Sequence, residues 1–260
     1  MSFYELNKSE RIQCVDKINQ QILSELKTGK EKFTLYYFSD EDTYIRKSGY
    51  LAIGKIYNSQ PELHSKVIKF LESAFKNENE KVRQTVINAA GEIGKKDFDC
   101  IEKLMEQGLA DKHHSVRNAV IGSIKKMSEK NPKPTLEFAK HYLHHPDKEI
   151  RREICHGIEL RGRTHPKEVL PLLKELENDK TARVRNTLVH VIGQIAYKKG
   201  CLEIVIKDLA SWKNKELVKD ALEEIIDVHY RYRNFAVKTQ EEAIEHIEHS
   251  DLASLLEKKE

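Results

Sequence analysis

The sequence predicts an all-α protein, a solenoid of about six helix pairs with a helical cap at each end. Three observations carry this. Pairs of an apolar residue followed by a cation (Val82-Arg83, Val116-Arg117, Ile150-Arg151, Val184-Arg185) recur every 34 residues, and one more step reaches Val218-Lys219. A step of 37 back gives Ile45-Arg46. From each anchor, side chains at +4, +8 and +11 are mostly apolar and +7 is small or apolar, which is one face of an α-helix. Five residues before the anchors stand Asp40, Asn77, Asp111, His145, Asp179 and Lys213, and the Asp and Asn residues among them suit a turn or a helix N-cap. One such helix pair cannot bury its apolar stripe alone, so the pairs must stack.

In chain order, residues 1–32 are expected to form an N-terminal capping helix, with Ile12, Val15, Ile18, Ile22 and Leu26 on one face. Residues 33–230 form the solenoid. Its second helices, here called B helices, carry Gly49, Val86, Val120, Ile154, Leu188 and Leu222 at +4, and Ile53, Ala90, Ile124, Ile158, Ile192 and Ile226 at +8. First helices, or A helices, are expected near 62–75, 98–108, 135–143, 166–177 and 202–212. The aromatics Phe33, Tyr36, Tyr37, Phe38, Tyr44 and Tyr50 fall in the first repeat, as core or as exposed stacking rings. Residues 231–260 read as a linker and a C-terminal capping helix, opened by Thr239 with Glu242 three residues on.

Composition narrows the function. Apolar residues make up 39% and charged ones 33%, with only 6 Pro and 11 Gly, which favours helices over disorder. A net charge of +3 gives no whole-molecule attraction to nucleic acid, so any basic surface must be local. Cys14, Cys100, Cys155 and Cys201 lie far apart, with no C-x-x-C pair, and read as reduced thiols of a cytoplasmic protein. The first residues lack an apolar signal region, and no apolar run approaches the ~20 residues needed to span a bilayer, so no membrane partner is expected. There is no P-loop, no G-x-S-x-G and no H-E-x-x-H, so no cofactor and no metal is expected.

The pattern D-x-x-x-x-[VI]-R, clearest at Asp111…Val116-Arg117 and Asp179…Val184-Arg185, resembles the HEAT-repeat family over about residues 33–230. That resemblance implies a right-handed superhelical α-solenoid. It also implies an Asp–Arg ladder joining successive turns, whose partly exposed pairs would contribute roughly 0–1 kcal/mol each. B helices of such solenoids line the concave groove. Their solvent side, taken at +2, +6, +9 and +10, gives Arg152, His156 and Glu159 in the fourth unit and His190 and Gln194 in the fifth. In the last unit it gives the acidic residues Asp220, Glu223, Glu224 and Asp227.

Position +11 breaks the pattern in the fourth unit, where Arg161 replaces an apolar residue. The B helix is expected to end near Gly162, with a distinct loop leading to Pro166 and with Arg161 and Arg163 projecting from the helix end, solvated or in contact with a ligand or phosphate. His156 and His190 are 34 apart and should be neighbours on adjacent helices. With Glu159 they could do acid–base work or bind a metal, and the alternative is a set of solvated side chains. His141 and His145, four apart, pose the same pair of alternatives.

Residues 150–212 also resemble the HEAT-like bacterial alkylpurine DNA glycosylases, through Arg151, Arg152, Gly157 and Arg161 and then Val184, Arg185, Ile195 and Trp212. His156 stands where that pattern has Glu, and His190, Gly193 and Gln194 where it has Asn, Asn and Asp. The departures fall on the polar positions that would carry catalysis. The function expected from the sequence is therefore a non-enzymatic scaffold binding a protein or peptide in its groove through Arg152, His156, Glu159, Arg161, Arg163, His190 and Gln194. The alternative is a protein that binds duplex DNA, related to DNA alkylation repair, with glycosylase-like activity if it is an enzyme.

Overall fold

The computed structural model describes residues 3–256. Within them the chain is helical and has no strand. It divides into two compact units, residues 1–134 and 135–260, with the boundary inside helix α8 (Pro132–Tyr142). The first unit holds α1 (Lys8–Thr28), α2 (Lys32–Ser39), α3 (Thr43–Ser59), α4 (His64–Ala74), α5 (Glu80–Gly94), α6 (Glu102–Leu109) and α7 (His114–Lys130). The second holds α9 (Lys148–Gly157), α10 (Glu159–Gly162), α11 (Pro166–Lys174), α12 (Ala182–Ala196), α13 (Leu202–Ala210), α14 (Lys215–Arg231) and α15 (Gln240–Glu248).

The sequence register reappears as packing. In the first unit the B helix α5 lies between B helices α3 and α7; in the second, α12 lies between α9 and α14. Val82, Val116, Ile150, Val184 and Val218 are buried, as are Val86, Val120, Ile154, Leu188 and Leu222 one turn later. The terminal units are looser. Ile45 and Ile226 are only half-buried, and Ile225 takes the core position beside Ile226. At +11 of the last unit His229 is buried, and its Nδ1 bonds the Ile225 carbonyl at 2.7 Å. Burial lowers its pKa, so the ring enters the core neutral, as a donor to its own helix.

The helical ends meet the same demands. Ile18, Ile22 and Leu26 of α1 are buried and α1 packs on α2 and α3, whereas Ile12 stays exposed. Glu31, at the N-cap of α2, makes no capping bond. Glu25 of α1 replaces it, accepting the N–H groups of Phe33 at 2.9 Å and Thr34 at 2.8 Å. Of the early aromatics, Tyr37 and Phe38 are core, while Phe33 and Tyr36 are exposed. At the other end Thr239 and Glu242 form the expected capping box, and α15 packs against α13 and α14.

The residue five before each anchor shapes a turn, and the N-cap comes two residues later. Asp40, Asn77, Asp111 and Asp179 accept the N–H of Asp42, Asn79, His113 and Thr181 at 2.8–2.9 Å, and His145 Nδ1 accepts that of Asp147 at 3.0 Å. Asp42, Asn79, His113 and Asp147 in turn cap the following B helix. The sixth unit does this differently: Lys213 donates its N–H to Glu177, and Asn214 is the cap.

The arginine after the anchor closes this turn and reaches into the next. Arg83 bonds the carbonyls of Asn77 and Glu78, then grips Asp111 of the following repeat at 2.7 and 3.0 Å. Arg151 repeats this with His145, Pro146 and Asp179. These pairs are more enclosed than the sequence suggests: the Arg83 and Asp111 side chains are only 7% and 5% exposed. The surface figure of 0–1 kcal/mol therefore does not apply to them. Burial pushes Asp111 and Asp179 up, but the arginines and the turn N–H groups outweigh it and hold both below the usual aspartate range.

Arg83→Ala should strand a buried carboxylate and cost about 3–5 kcal/mol in urea unfolding. Lys219→Ala, which removes a pair at 3.9 Å with both side chains about half exposed, should cost no more than about 1 kcal/mol. Because the folded pKa of Asp111 is depressed, the stability it contributes is complete above the ordinary aspartate value of about 3.9 and is lost as pH falls through the lower folded value. In Arg83→Ala burial is left to raise the stranded carboxylate, so the gap between wild type and variant should be widest at neutral pH and narrow as acid protonates that carboxylate.

Candidate functional site

Five of the seven expected site residues meet in the second unit, on α9, α10 and α12. At the centre is Glu159, whose burial overturns its expected place on the solvent side of the helix: it is only 2% exposed. Its Oε2 lies 3.0 Å from His156 Nε2, and its Oε1 pairs with Arg163. Arg163 also donates to Gln194 Oε1 at 2.7 Å. Gln194 too is buried rather than solvent-facing. The rings of His156 and His190 meet edge to face, with centroids 6.0 Å apart.

Glu159 is buried because of where it sits in the repeat. Nine residues after the anchor, three other units carry Gly54, Gly91 and Gly193. There the B helices approach closely: a Cβ on Gly54 would stand 2.6 Å from Glu92 Cβ, and one on Gly193 2.6 Å from Glu224 Cγ. The fourth unit places a glutamate at this crowded position. Its B helix is interrupted by one residue, Ile158, between α9 and α10, and the glutamate begins the new turn. The +9 and +10 positions thus face the neighbouring B helix. Glu92 is likewise buried and pairs with Lys95 and, at 3.1 Å, with Lys126.

The helix ends at Gly162, and Arg161 and Arg163 stand at that end, but both are paired rather than solvated. Arg161 lies within α10, and it grips Glu168 of α11 at 2.9 and 2.8 Å, away from the cluster. Arg163 is the C-cap of α10 and turns toward Glu159. Arg152 belongs to a different network, with Glu149 at 3.0 Å and Glu153 at 3.5 Å, and Arg183 joins it through Glu149.

Two residues outside the expected set complete the cluster. Glu224 Oε1 lies 3.7 Å from His190 Nδ1, and Arg231 holds the same carboxylate oxygen at 2.7 Å while also pairing with Asp227. By sequence Arg231 falls in the linker that comes after the solenoid; in the structure it ends α14. A seven-residue step from Glu224 to Arg231 is two helical turns, and that spacing was the available signal. Burial lowers the pKa of His190, with Glu159 and Glu224 pulling the other way. Cys155, fully buried in the same helix, has its thiol pushed up by burial and is not a poised nucleophile.

Chemically the cluster offers buried carboxylate oxygen and imidazole nitrogen in one place. His156, Glu159 and His190 have ligand atoms all within 4.8 Å of one another, the only such trio among the described residues. Two buried nitrogens, Gln194 Nε2 and Arg163 Nε, have no hydrogen-bond partner. His141 and His145 form no such group, and His144 pairs with Glu175 at 2.8 Å.

In its own titration His190 should ionise below the ordinary histidine value of about 6.5. Glu224→Gln removes a charge that favours the imidazolium, so it should lower that pKa further. Ring-proton NMR across about pH 4–8 reads both, and a rise in the variant would refute these electrostatics.

Comparison with known proteins places the fold. The HEAT-repeats family model matches residues 31–125. No curated protein matches the chain. Among solved structures, AlkD2 from Streptococcus mutans superposes with a TM-score of 0.56 at 17% identity, covering 75% of this chain and 97% of that one. The smu.31 protein from Streptococcus mutans UA159 gives 0.48 at 18% identity, covering 80% and 96%. A chain of the Kap95p–RanGDP structure gives 0.48 at 13% identity, covering 95% of this chain and 37% of that one. At such identities the likeness is one of fold. Among the described residues no helix is long and apolar enough to cross a membrane. Residues 31–125 match the HEAT-repeats family model, within a chain whose described residues form helices and no strand.

Proposed function

We propose that the chain is a non-enzymatic HEAT-repeat scaffold that recognises a protein or peptide partner through the face of its B helices. The pairing of the arginines there carries this reading. Arg152, Arg161, Arg163 and Arg231 are each engaged by a carboxylate within the fold. A duplex-binding surface needs cations free to replace the counterions of phosphate, and each of these would first have to leave its partner. Polar side chains such as exposed Asn186 and half-buried His190 suit the mixed, adaptable contacts of a protein interface better.

A DNA-binding protein related to alkylation repair is the second reading. It is favoured by the local resemblance of residues 150–212 and by a fold shared with AlkD2. Against activity of that type, His156 occupies the position where the pattern has a glutamate, and Glu159 is enclosed by Arg163 and His156.

Fluorescence anisotropy with a duplex oligonucleotide separates the two. The scaffold reading expects no saturable binding even at about 50 mM salt, and expects peptides selected on the full chain to keep their affinity when any single ionisable residue of the B-helix face is changed. Salt-sensitive duplex binding that falls in the Arg152→Ala/Arg161→Ala/Arg163→Ala variant would reject the scaffold reading in favour of the second.

A further inference from the structure

We propose that His156, Glu159 and His190 form a binding site for one divalent transition-metal ion of the zinc class. The position of Glu159 is the first reason. Of the other five repeats, three carry Gly54, Gly91 and Gly193 at the equivalent place and two carry Lys125 and Asp227; only Glu159 puts a buried charge there, answered on its Oε1 side by Arg163. Here the helix is broken at Ile158, and the carboxylate points its Oε2 toward an imidazole nitrogen 3.0 Å away.

The ligand set fits the ion class. Two imidazoles and one carboxylate make up a common three-ligand zinc set, with a further position left open. The three donor atoms lie within 4.8 Å of one another. Ligand distances of about 2.0–2.2 Å would need them to close by roughly an ångström, within reach of side-chain rotation. The surroundings supply what a bound ion needs. Arg163, which also donates to Gln194 Oε1, holds Glu159 from the Oε1 side and leaves Oε2 directed at His156. Glu224 places a second carboxylate beside His190, 3.7 Å from Nδ1, where outer carboxylates commonly orient a ligating ring. Three carboxylates, Glu159, Glu224 and Asp227, face two guanidinium groups, Arg163 and Arg231, so the cluster has surplus negative charge. This departs from the expectation, drawn from motif spacing alone, that the chain binds no metal. The ligands come from two adjacent repeats, where short linear motifs do not reach.

The test uses the full chain with Zn2+ alone and with Co2+ as its spectroscopic substitute. One equivalent of Co2+ should bind, with the intense visible bands of four- or five-coordinate cobalt, and Zn2+ should displace it. In the unsubstituted chain, Zn2+ should shift the imidazole resonances of His156 and His190 and leave those of His141 and His145 in place. Glu224→Gln should weaken Zn2+ by about 10–100-fold, as loss of an outer carboxylate does. His156→Ala/His190→Ala should abolish stoichiometric binding while its circular dichroism stays helical. Absence of cobalt bands, unchanged affinity in the double variant, or shifts confined to other histidines would each overturn the proposal. The resonance measurement stands even if the variant does not fold.

Discussion

A helix pair repeating every 34 residues has an apolar stripe that it cannot cover with its own atoms. Within each compact unit a pair therefore depends on its neighbour, and contact between the B helices of that unit constrains the rest of it. It requires apolar residues at the anchor, +4 and +8. It also requires a small residue wherever two helix backbones come closest, and it fixes which polar side chains can remain in water. The glycines at 54, 91 and 193 mark the closest approaches. In the fourth unit, where Glu159 stands in that place, the helix is interrupted at Ile158, whereas Lys125 and Asp227 stand there in unbroken helices.

The charged residues obey the same constraint. A chain that is 33% charged would be expected to expose most of its ions, yet many arginines here are enclosed and paired. Arg83 and Arg151 fasten one turn to the next, Arg163 answers a carboxylate in the helix seam, and Arg161 ties α10 to α11. The result is a surface less basic than the number of arginines suggests.

The legible part of the sequence was the part governed by repetition. Burial of the anchors and the +4 positions, the turns at Asp40, Asn77, Asp111 and Asp179, and the capping box at Thr239 all derive from spacing and residue type. Hidden from the spacing were departures that a helical wheel treats as surface. Glu92, Glu159 and Gln194 fall on the polar side of the wheel but face another helix, because two neighbouring helices bury more than one stripe. Arg161 falls on the apolar side, yet pairs with Glu168 because the one-residue interruption at Ile158 rotates the turn of α10 relative to α9. The neighbourhood of His156 and His190 could be read from their spacing of 34. The part played by Arg231 was legible only in its two-turn step from Glu224, and using that step required taking α14 past residue 230.

The interruption at Ile158 has a mechanical consequence. Helix α10 is four residues long, too short to hold its own backbone, since helix formation is repaid only over several turns. Its few main-chain bonds, from Gly162 to Ile158 and from Arg163 to Glu159, are reinforced by side chains: Arg161 on Glu168 in its last turn, and Glu159 joined to Arg163. That makes α10 a latch. Whatever draws Glu159 away from Arg163 loosens a turn of main chain, so a small displacement at one carboxylate is converted into a change of backbone order, and amide exchange in residues 159–163 would register it.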